Sequence, residues 1–333
     1  MTTSREIRLK SRPIGMPKLS DFELATVEVG APGPGEVQVK NLYMSVDPYM
    51  RGRMYDRESY VPPFQIGKPL EGGAVGEVVA SNDPGFKVGD LVNSMLGWRE
   101  LFNAPAGYLQ KIETHGLPPQ AFLGVAGMPG LTAYVGLLKI AGCKAGDVVF
   151  VSAAAGAVGQ IVCQIAKLKG ATVIGSAGGA DKVAFLKEIG CDHVIDYKAE
   201  KDLTAALAKA APKGIDVYFE NVGGAHLEAA INAARPFARF AFCGMISQYN
   251  DTAPQPGPSN IIAVVGKRLR LEGFIVSDHF GELPTFIADM SGWIGAGKIK
   301  WRESVDHGIE QAPAAFLKLF TGENIGKMLV KLN

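Results

Sequence analysis

VFVSAAAGAVGQIVCQIAKLKG, residues 149–170, decides the fold of this chain. An apolar, strand-like run ends at Ser152, a turn of small residues follows, and from about Ala157 an amphipathic helical pattern runs to Gly170. The turn reads Ala154-x-Gly156-x-x-Gly159, the dinucleotide-binding spacing with alanine in the first glycine place. Gly156 lets backbone come close to a pyrophosphate, and Gly159 lets helix and sheet pack tightly. The pyrophosphate then rests over Ala157 and Val158 at the helix N-terminus, where N–H groups and the helix dipole favour an anion. Alanine in the first place weakens the motif alone; strand, turn and helix in succession restore it.

The residues just beyond this helix bear on which dinucleotide is bound. An NAD site usually carries an Asp or Glu about 20 residues past the glycines to hold the ribose 2′-hydroxyl. Here Gly175, Ser176, Ala177, Gly178 and Gly179 fill that place, with Lys182 just beyond. A carboxylate would repel a 2′-phosphate, whereas a small polar loop with a lysine attracts one. NADP(H) is the cofactor expected.

On both sides of this stretch the pattern is informative. Toward the C-terminus, apolar runs ATVIGSAG (171–178), HVIDY (193–197), IDVYFENV (215–222), ARFAFCG (238–244) and LRLEGFIV (269–276) alternate with helical segments such as DKVAFLKEIG (181–190). Short apolar strands alternating with helices predict a doubly wound parallel sheet, buried on both faces. Up to about residue 124 the chain is instead rich in Pro and Gly, with alternating runs GEVQVKNLYMSV (35–46) and GGAVGEVVAS (72–81) that predict a β-rich domain. QYNDTAPQPGPSN (248–260) is the one long loop, a place where function often resides.

Composition sets the outer limits. With 47% hydrophobic and 20% charged residues in 333, a well-buried core needs neither disulfide nor metal. Net charge is +1 without a dense basic block, so neither nucleic acid nor a membrane surface is an expected partner. The polar start MTTSREIRLKSRP is not the pattern of a signal peptide, and no apolar run is long enough to span a membrane, so a cytoplasmic location is expected. Cys143, Cys163, Cys191 and Cys243 are scattered, without a CxxC pair, and read as structural.

SRPIGMP, SVDPYMRGRM, GMPGLTAYVGLL, AAAGAVGQIVCQIAKLKG, YFENVGG, CGMISQYN, GFIV and GENIGKMLVKL follow one another along the chain. Together they resemble the zinc-independent medium-chain dehydrogenase/reductases, in the branch of prostaglandin reductases, leukotriene 12-hydroxydehydrogenases and plant alkenal double-bond reductases. SRPIG, SVDPYMRGRM and the SAGGADK loop look most like bacterial NADPH-dependent curcumin reductases. The resemblance implies an α/β chain with a GroES-like β-rich catalytic domain, residues 1–124 and 298–333, and an inserted Rossmann nucleotide-binding domain, residues 125–297. It also implies a homodimer joined through the nucleotide-binding domains. Zinc-using relatives carry a cysteine where this chain has Ser45-Val46-Asp47-Pro48, a GHE triplet near Leu70-Glu71-Gly72-Gly73, and a four-cysteine lobe that is absent here. Without thiolate or imidazole ligands no tetrahedral zinc site is expected.

By the same resemblance Lys182 and Tyr197 meet the 2′-phosphate, Asn221 and Asn324 contact the cofactor, and Cys243 with Phe274, Ile275 and Val276 line its nicotinamide half. Tyr249, in the long loop, is the expected hydrogen-bond donor to a substrate carbonyl as negative charge develops on it, a phenol being protonated at neutral pH. The implied reaction reduces the carbon–carbon double bond of conjugated enones and enals. Quinone reduction and non-catalytic NADPH sensing are the alternatives. Tyr49, Tyr60, Trp98 and Met128 are candidate pocket walls, Tyr60 and Trp98 because each sits in a Pro/Gly-flanked loop. Arg51 and Arg53 read as structural ion-pairing residues.

Overall fold

The computed structural model describes residues 1–332. The chain divides into two compact units, one formed by Met1–Leu123, Glu303–Asn324 and Met328 onward, the other by Gly124–Arg302 and Ile325–Lys327. In the first, β1 (Thr2–Leu9) and β2 (Phe22–Val29) pair antiparallel along their whole length. The polar residues that hide β1 in the sequence alternate with Ile7 and Leu9, which are fully buried. A seven-stranded sheet is built from β3 (Glu36–Ser45), β4 (Ala74–Ser81), β5 (Leu91–Ser94), β6 (Leu101–Pro105), β7 (Gln110–Lys111) and the strands Glu303–His307 and Lys327–Lys331. Its core collects Ile7, Leu9, Phe22, Met44, Met50, Trp98 and Phe316.

The second unit is the doubly wound sheet expected from the strand–helix alternation. Its strands are β8 (Val148–Val151), β9 (Thr172–Ala177), β10 (His193–Asp196), β11 (Ile215–Glu220), β12 (Ala234–Phe242) and β13 (Arg270–Gly273). They lie in the order β10-β9-β8-β11-β12-β13 and are all parallel. The helices α1 (Gly159–Leu168), α2 (Ala180–Glu188), α3 (Leu203–Ala210), α4 (Gly224–Ala233), α5 (Ala263–Lys267) and α6 (Leu283–Gly295) connect or flank the strands. The winding reverses between β8 and β11, and ligands of open α/β sheets settle at the carboxyl ends of strands flanking such a switch.

Helix α1 is buried from Gly159 through Ala166, including two glutamines one turn apart. Buried amides need partners, and each finds a backbone segment that it reads as another strand would. Gln160 accepts from Arg302 N–H at 2.9 Å and donates to Arg302 O at 3.2 Å; Gln164 does the same with Lys300 at 2.8 and 2.7 Å. Residues 325–327 close the ring. Lys327 N–H donates to Arg302 O at 3.0 Å, and Gly326 N–H to Ala155 O at 2.7 Å, inside the small-residue turn.

Gly326 takes φ +67°, and a Cβ there would overlap the Arg302 carbonyl group. A Gly326→Ala exchange therefore costs about 2–4 kcal/mol through strain and overlap. It lowers the thermal midpoint by several degrees, whereas Gly52→Ala, at a position with open space, leaves the midpoint within about one degree. Calorimetry of the two variants checks this; equal midpoints would refute it.

Candidate functional site

The turns leaving β8 and β11 share one edge of the sheet, at the switch. After Ser152 the chain bends sharply through Ala153, held in the left-handed region at φ 46°. Ala154 N–H then donates to Ser176 O, and Gly156 N–H to Ala153 O, both at 2.9 Å. A Cβ on Gly156 would meet only the Ala153 carbonyl at 3.1 Å, so this side of the turn is bare backbone. A Cβ on Gly159 would lie 2.7 Å from Ala154 Cα, so α1 can start here only with glycine. Gly156 serves the outer face and Gly159 the inner one. Bare backbone at the N-terminus of a buried helix fits a pyrophosphate.

At the end of β9, Ser176 is fully buried, with its Oγ 3.0 Å from His226 Nε2 on α4. This corrects the expectation for Ser176. Its hydroxyl is turned inward onto His226 and its carbonyl holds Ala154, so its side chain shapes the turn from beneath. Ala154 is equally buried, with its Cβ against Gly175. The loop beyond is formed by Gly178 and by Gly179 at φ +99°. Lys182 stands in the first turn of α2, its pKa lowered by burial and by the charge of Lys198. The Lys198 chain crosses Gly178, its Cγ, Cδ and Cε 2.9 Å from where a Cβ would be. Asp196 Oδ1 is turned onto backbone, accepting from Gly179 N–H and Lys198 N–H at 3.1 Å each. Two ammonium groups that feel each other, beside a carboxylate occupied by backbone, suit a dianionic phosphate. Tyr197 borders the loop, its ring edge-on to His226 at 5.2 Å.

Across the switch, Asn221 Nδ2 donates to Ser152 O at 2.8 Å. Cys243 follows β12, its N–H on Glu220 O at 2.9 Å, and burial together with the Glu220 charge pushes the thiol up to about 12. Such a thiol is not a nucleophile at neutral pH. Tyr249 lies in the turn beyond, its phenol oxygen accepting from Met245 N–H at 3.3 Å, in space that Gly244 leaves open. Phe274 packs its ring edge-on against Phe219 at 6.3 Å and fills the space beside Gly136, with Ile275 and Val276 partly buried after it. The turn residues Ala154–Gly159, Gly178, Lys182, Tyr197, Asn221, Cys243, Tyr249 and residues 274–276 thus all belong to this unit.

The remaining candidates are distributed differently. Met128 opens the helix Met128–Tyr134 of the same unit and is 41% exposed. Tyr49, Tyr60, Trp98 and Asn324 belong to the first unit. Tyr49 keeps a buried phenol oxygen without a hydrogen-bond partner, its pKa raised by burial and by Asp47. Tyr60 is 61% exposed, and Asn324 follows the helix Ala312–Thr321. Trp98 is a correction: it is not a pocket wall but a fully buried core side chain, stacked on Phe22 at 6.1 Å and edge-on to Phe316 at 6.3 Å. Its loop is irregular because Trp98 adopts φ 63°, and that conformation goes with a side chain in the core. Arg53 pairs with Glu71 at 2.8 Å as expected, whereas Arg51 donates to the carbonyls of Pro13 and Gly15 and to the Tyr55 hydroxyl.

Sequence reasoning missed Glu220 and His226. Both are buried ionisable groups in otherwise apolar surroundings, and the lone carboxylate ending the apolar run IDVYFE was the available signal. Among the described residues no three His, Cys, Asp or Glu side chains meet as a metal ion would require.

Two family models match the chain: "N-terminal domain of oxidoreductase" over residues 5–112 and "Zinc-binding dehydrogenase" over residues 157–292. The chain is 45% identical to 2-alkenal reductase (NADP(+)-dependent) of Nicotiana tabacum, over 99% of this chain and 98% of the relative. It is 43% identical to NADPH-dependent curcumin reductase of Escherichia coli (strain K12), over 97% and 95%. Among solved structures, CurA from Vibrio vulnificus in complex with NADPH superposes with a TM-score of 0.94 at 44% identity, over 99% of both chains.

Burial pushes His226 down to about 4 from an ordinary 6.5. The unfolded chain therefore takes up a proton that the fold refuses, so this contribution to stability is complete above about pH 6.5 and is lost as pH falls toward 4. His226→Gln flattens the fall of the thermal midpoint across that window, measured against wild type in the same buffers. Parallel curves would show that His226 is not the group responsible.

Proposed function

This chain belongs to the medium-chain dehydrogenase/reductases, among relatives named alkenal and curcumin reductases, and from that premise we propose that it is an NADPH-dependent reductase of α,β-unsaturated ketones and aldehydes. The observation that carries this reading is 43–45% identity, over nearly the whole chain, with an NADP-dependent 2-alkenal reductase and an NADPH-dependent curcumin reductase. The bare face of the Gly156 turn and the paired lysines at the next loop support it independently.

NADPH supplies the hydride when bound. The chain's own task is to orient the two reactants and to stabilise the negative charge that develops on the substrate oxygen. The Ala154–Gly159 turn would carry the pyrophosphate, Lys182 and Tyr197 with Gly178 the 2′-phosphate, and Asn221, Cys243 and residues 274–276 the remainder of the cofactor. The Tyr249 phenol, polarised by the N–H that it accepts from Met245, donates to the carbonyl oxygen. Cys243, its thiol kept neutral by burial, offers no competing thiolate to an electrophilic enone.

We read the molecule as a cytoplasmic homodimer joined at β13. This strand ends the parallel sheet, so one row of its backbone groups has no neighbour in the sheet, and the nearby α5 segment exposes Ile262 and Val265 at 77% and 73%. No helix among the described residues is long and apolar enough to cross a membrane.

NADPH oxidation, followed by absorbance, is expected with a conjugated enone and not with a quinone or without an acceptor, and NADPH should outperform NADH by roughly tenfold or more in kcat/KM. Quinone-only oxidation, or none with any acceptor, would sink the enone reading in favour of quinone reduction or of sensing. Tyr249→Phe lowers kcat on the enone by about 10–100-fold with little change in NADPH affinity; unaltered turnover removes Tyr249 from the donor role. Light scattering should give twice the 35.3 kDa of one chain, and Val265→Glu should shift the mass toward that of one chain. A monomeric wild type excludes the dimer.

A further inference from the structure

The β11–α4 turn contains a side chain that the reaction does not consume and that burial makes costly to keep. Glu220 is fully buried in a sheet of apolar strands. Its Oε1 accepts from Val222 N–H at 2.6 Å, Gly223 N–H at 2.9 Å, Tyr218 Oη at 2.8 Å and Ser152 Oγ at 3.1 Å. Its Oε2 is buried with no hydrogen-bond partner. Val222 and Gly223 precede the first turn of α4, so the carboxylate also supplies the negative charge that a helix start favours. Tyr218 and Cys243 are the titratable groups facing it, and both have raised pKa values that keep them neutral at neutral pH.

The contacts continue toward Asn221. Ser152 Oγ, with its proton shared between Glu220 Oε1 and Phe219 O at 3.3 Å, accepts Asn221 N–H at 2.9 Å. Asn221 Nδ2 is tied to Ser152 O at 2.8 Å, so the oxygen of that amide is the end presented to a ligand hydroxyl. The same carboxylate therefore joins the end of β8, the end of β11 and the start of α4 at the sheet's switch.

We propose that Glu220 is a positioning residue for the cofactor, holding Ser152 and Asn221 in the arrangement in which the Asn221 amide oxygen accepts from a hydroxyl of NADPH. This rests on the chain being NADPH-dependent. Without the acceptor, four donors lose their common partner, and the turn relaxes away from that arrangement.

The test is direct binding of NADPH, read from the fluorescence of the bound dinucleotide, and so needs no substrate. Glu220→Leu weakens binding by about tenfold or more, while kcat at saturating NADPH falls less than affinity does. Glu220→Gln keeps an oxygen for the donors and recovers most of the affinity. Ser152→Ala cuts the link to Asn221 while leaving the carboxylate on the start of α4, and weakens binding by roughly threefold or more. On an Asn221→Ala background, Glu220→Leu adds less than about twofold, because the two act on one contact.

A folded Glu220→Leu protein with wild-type affinity overturns the proposal, as does full additivity with Asn221→Ala. Should Glu220→Leu fail to fold, wild-type affinity in Ser152→Ala overturns it equally. A wild-type protein that binds NADPH yet reduces no enone would refute the assigned reaction and leave this inference standing; one that does not bind NADPH refutes both.

Discussion

Between Ser152 and Gly159 the backbone must be closed on one side and bare on the other. The inner side is closed because α1 begins against the turn itself, where a Cβ on Gly159 would press on Ala154 Cα. The outer side is bare because Gly156 presents no side chain. Around this turn the rest of the unit is arranged. Ser176 O fixes Ala154, Gly326 fixes Ala155, and Ser152 is held from across the switch by the Glu220 network. A turn held from several sides with one open face needs little further ordering to meet a ligand, which reduces the cost of binding.

Much of that rigidity comes from segments remote in sequence. The glutamines of α1 satisfy themselves on residues 300–302, and those residues are joined through residues 326–327 to the turn that starts α1. A buried amide with both ends satisfied by backbone is geometrically exacting, since losing either partner leaves a polar group stranded. Helix, C-terminal segment and the turn that starts α1 therefore hold one another in place.

Charge is handled by separation. Lys182 and Lys198 are set at one loop, with Asp196 engaged by backbone N–H groups. Glu220 is enclosed among donors at the neighbouring strand end, and burial keeps His226 and Cys243 neutral. Cations are thus gathered at one loop, and the neighbouring strand ends carry a buried carboxylate and neutral side chains.

Periodicity, glycine spacing and the missing acid after the turn were legible in the sequence, because each is local: strand and helix periods, a three-residue glycine interval and the charge of one loop require no knowledge of distant neighbours. They determined the doubly wound sheet, the glycine turn at its switch and the preference for NADP. Burial and direction were not local, and there the sequence misled or was silent. Trp98 resembled a loop side chain open to a ligand and is a core residue; Ser176 resembled a ligand contact and lies beneath the turn. β1 went unread because its buried positions are hidden among polar ones. Glu220, His226, Gln160 and Gln164 gained their roles only from residues 50 to 142 positions away, or from the strand end that encloses them. Tertiary structure decided these because a polar side chain in a core is defined by the partners that satisfy it, and folding alone brings those partners within hydrogen-bonding distance.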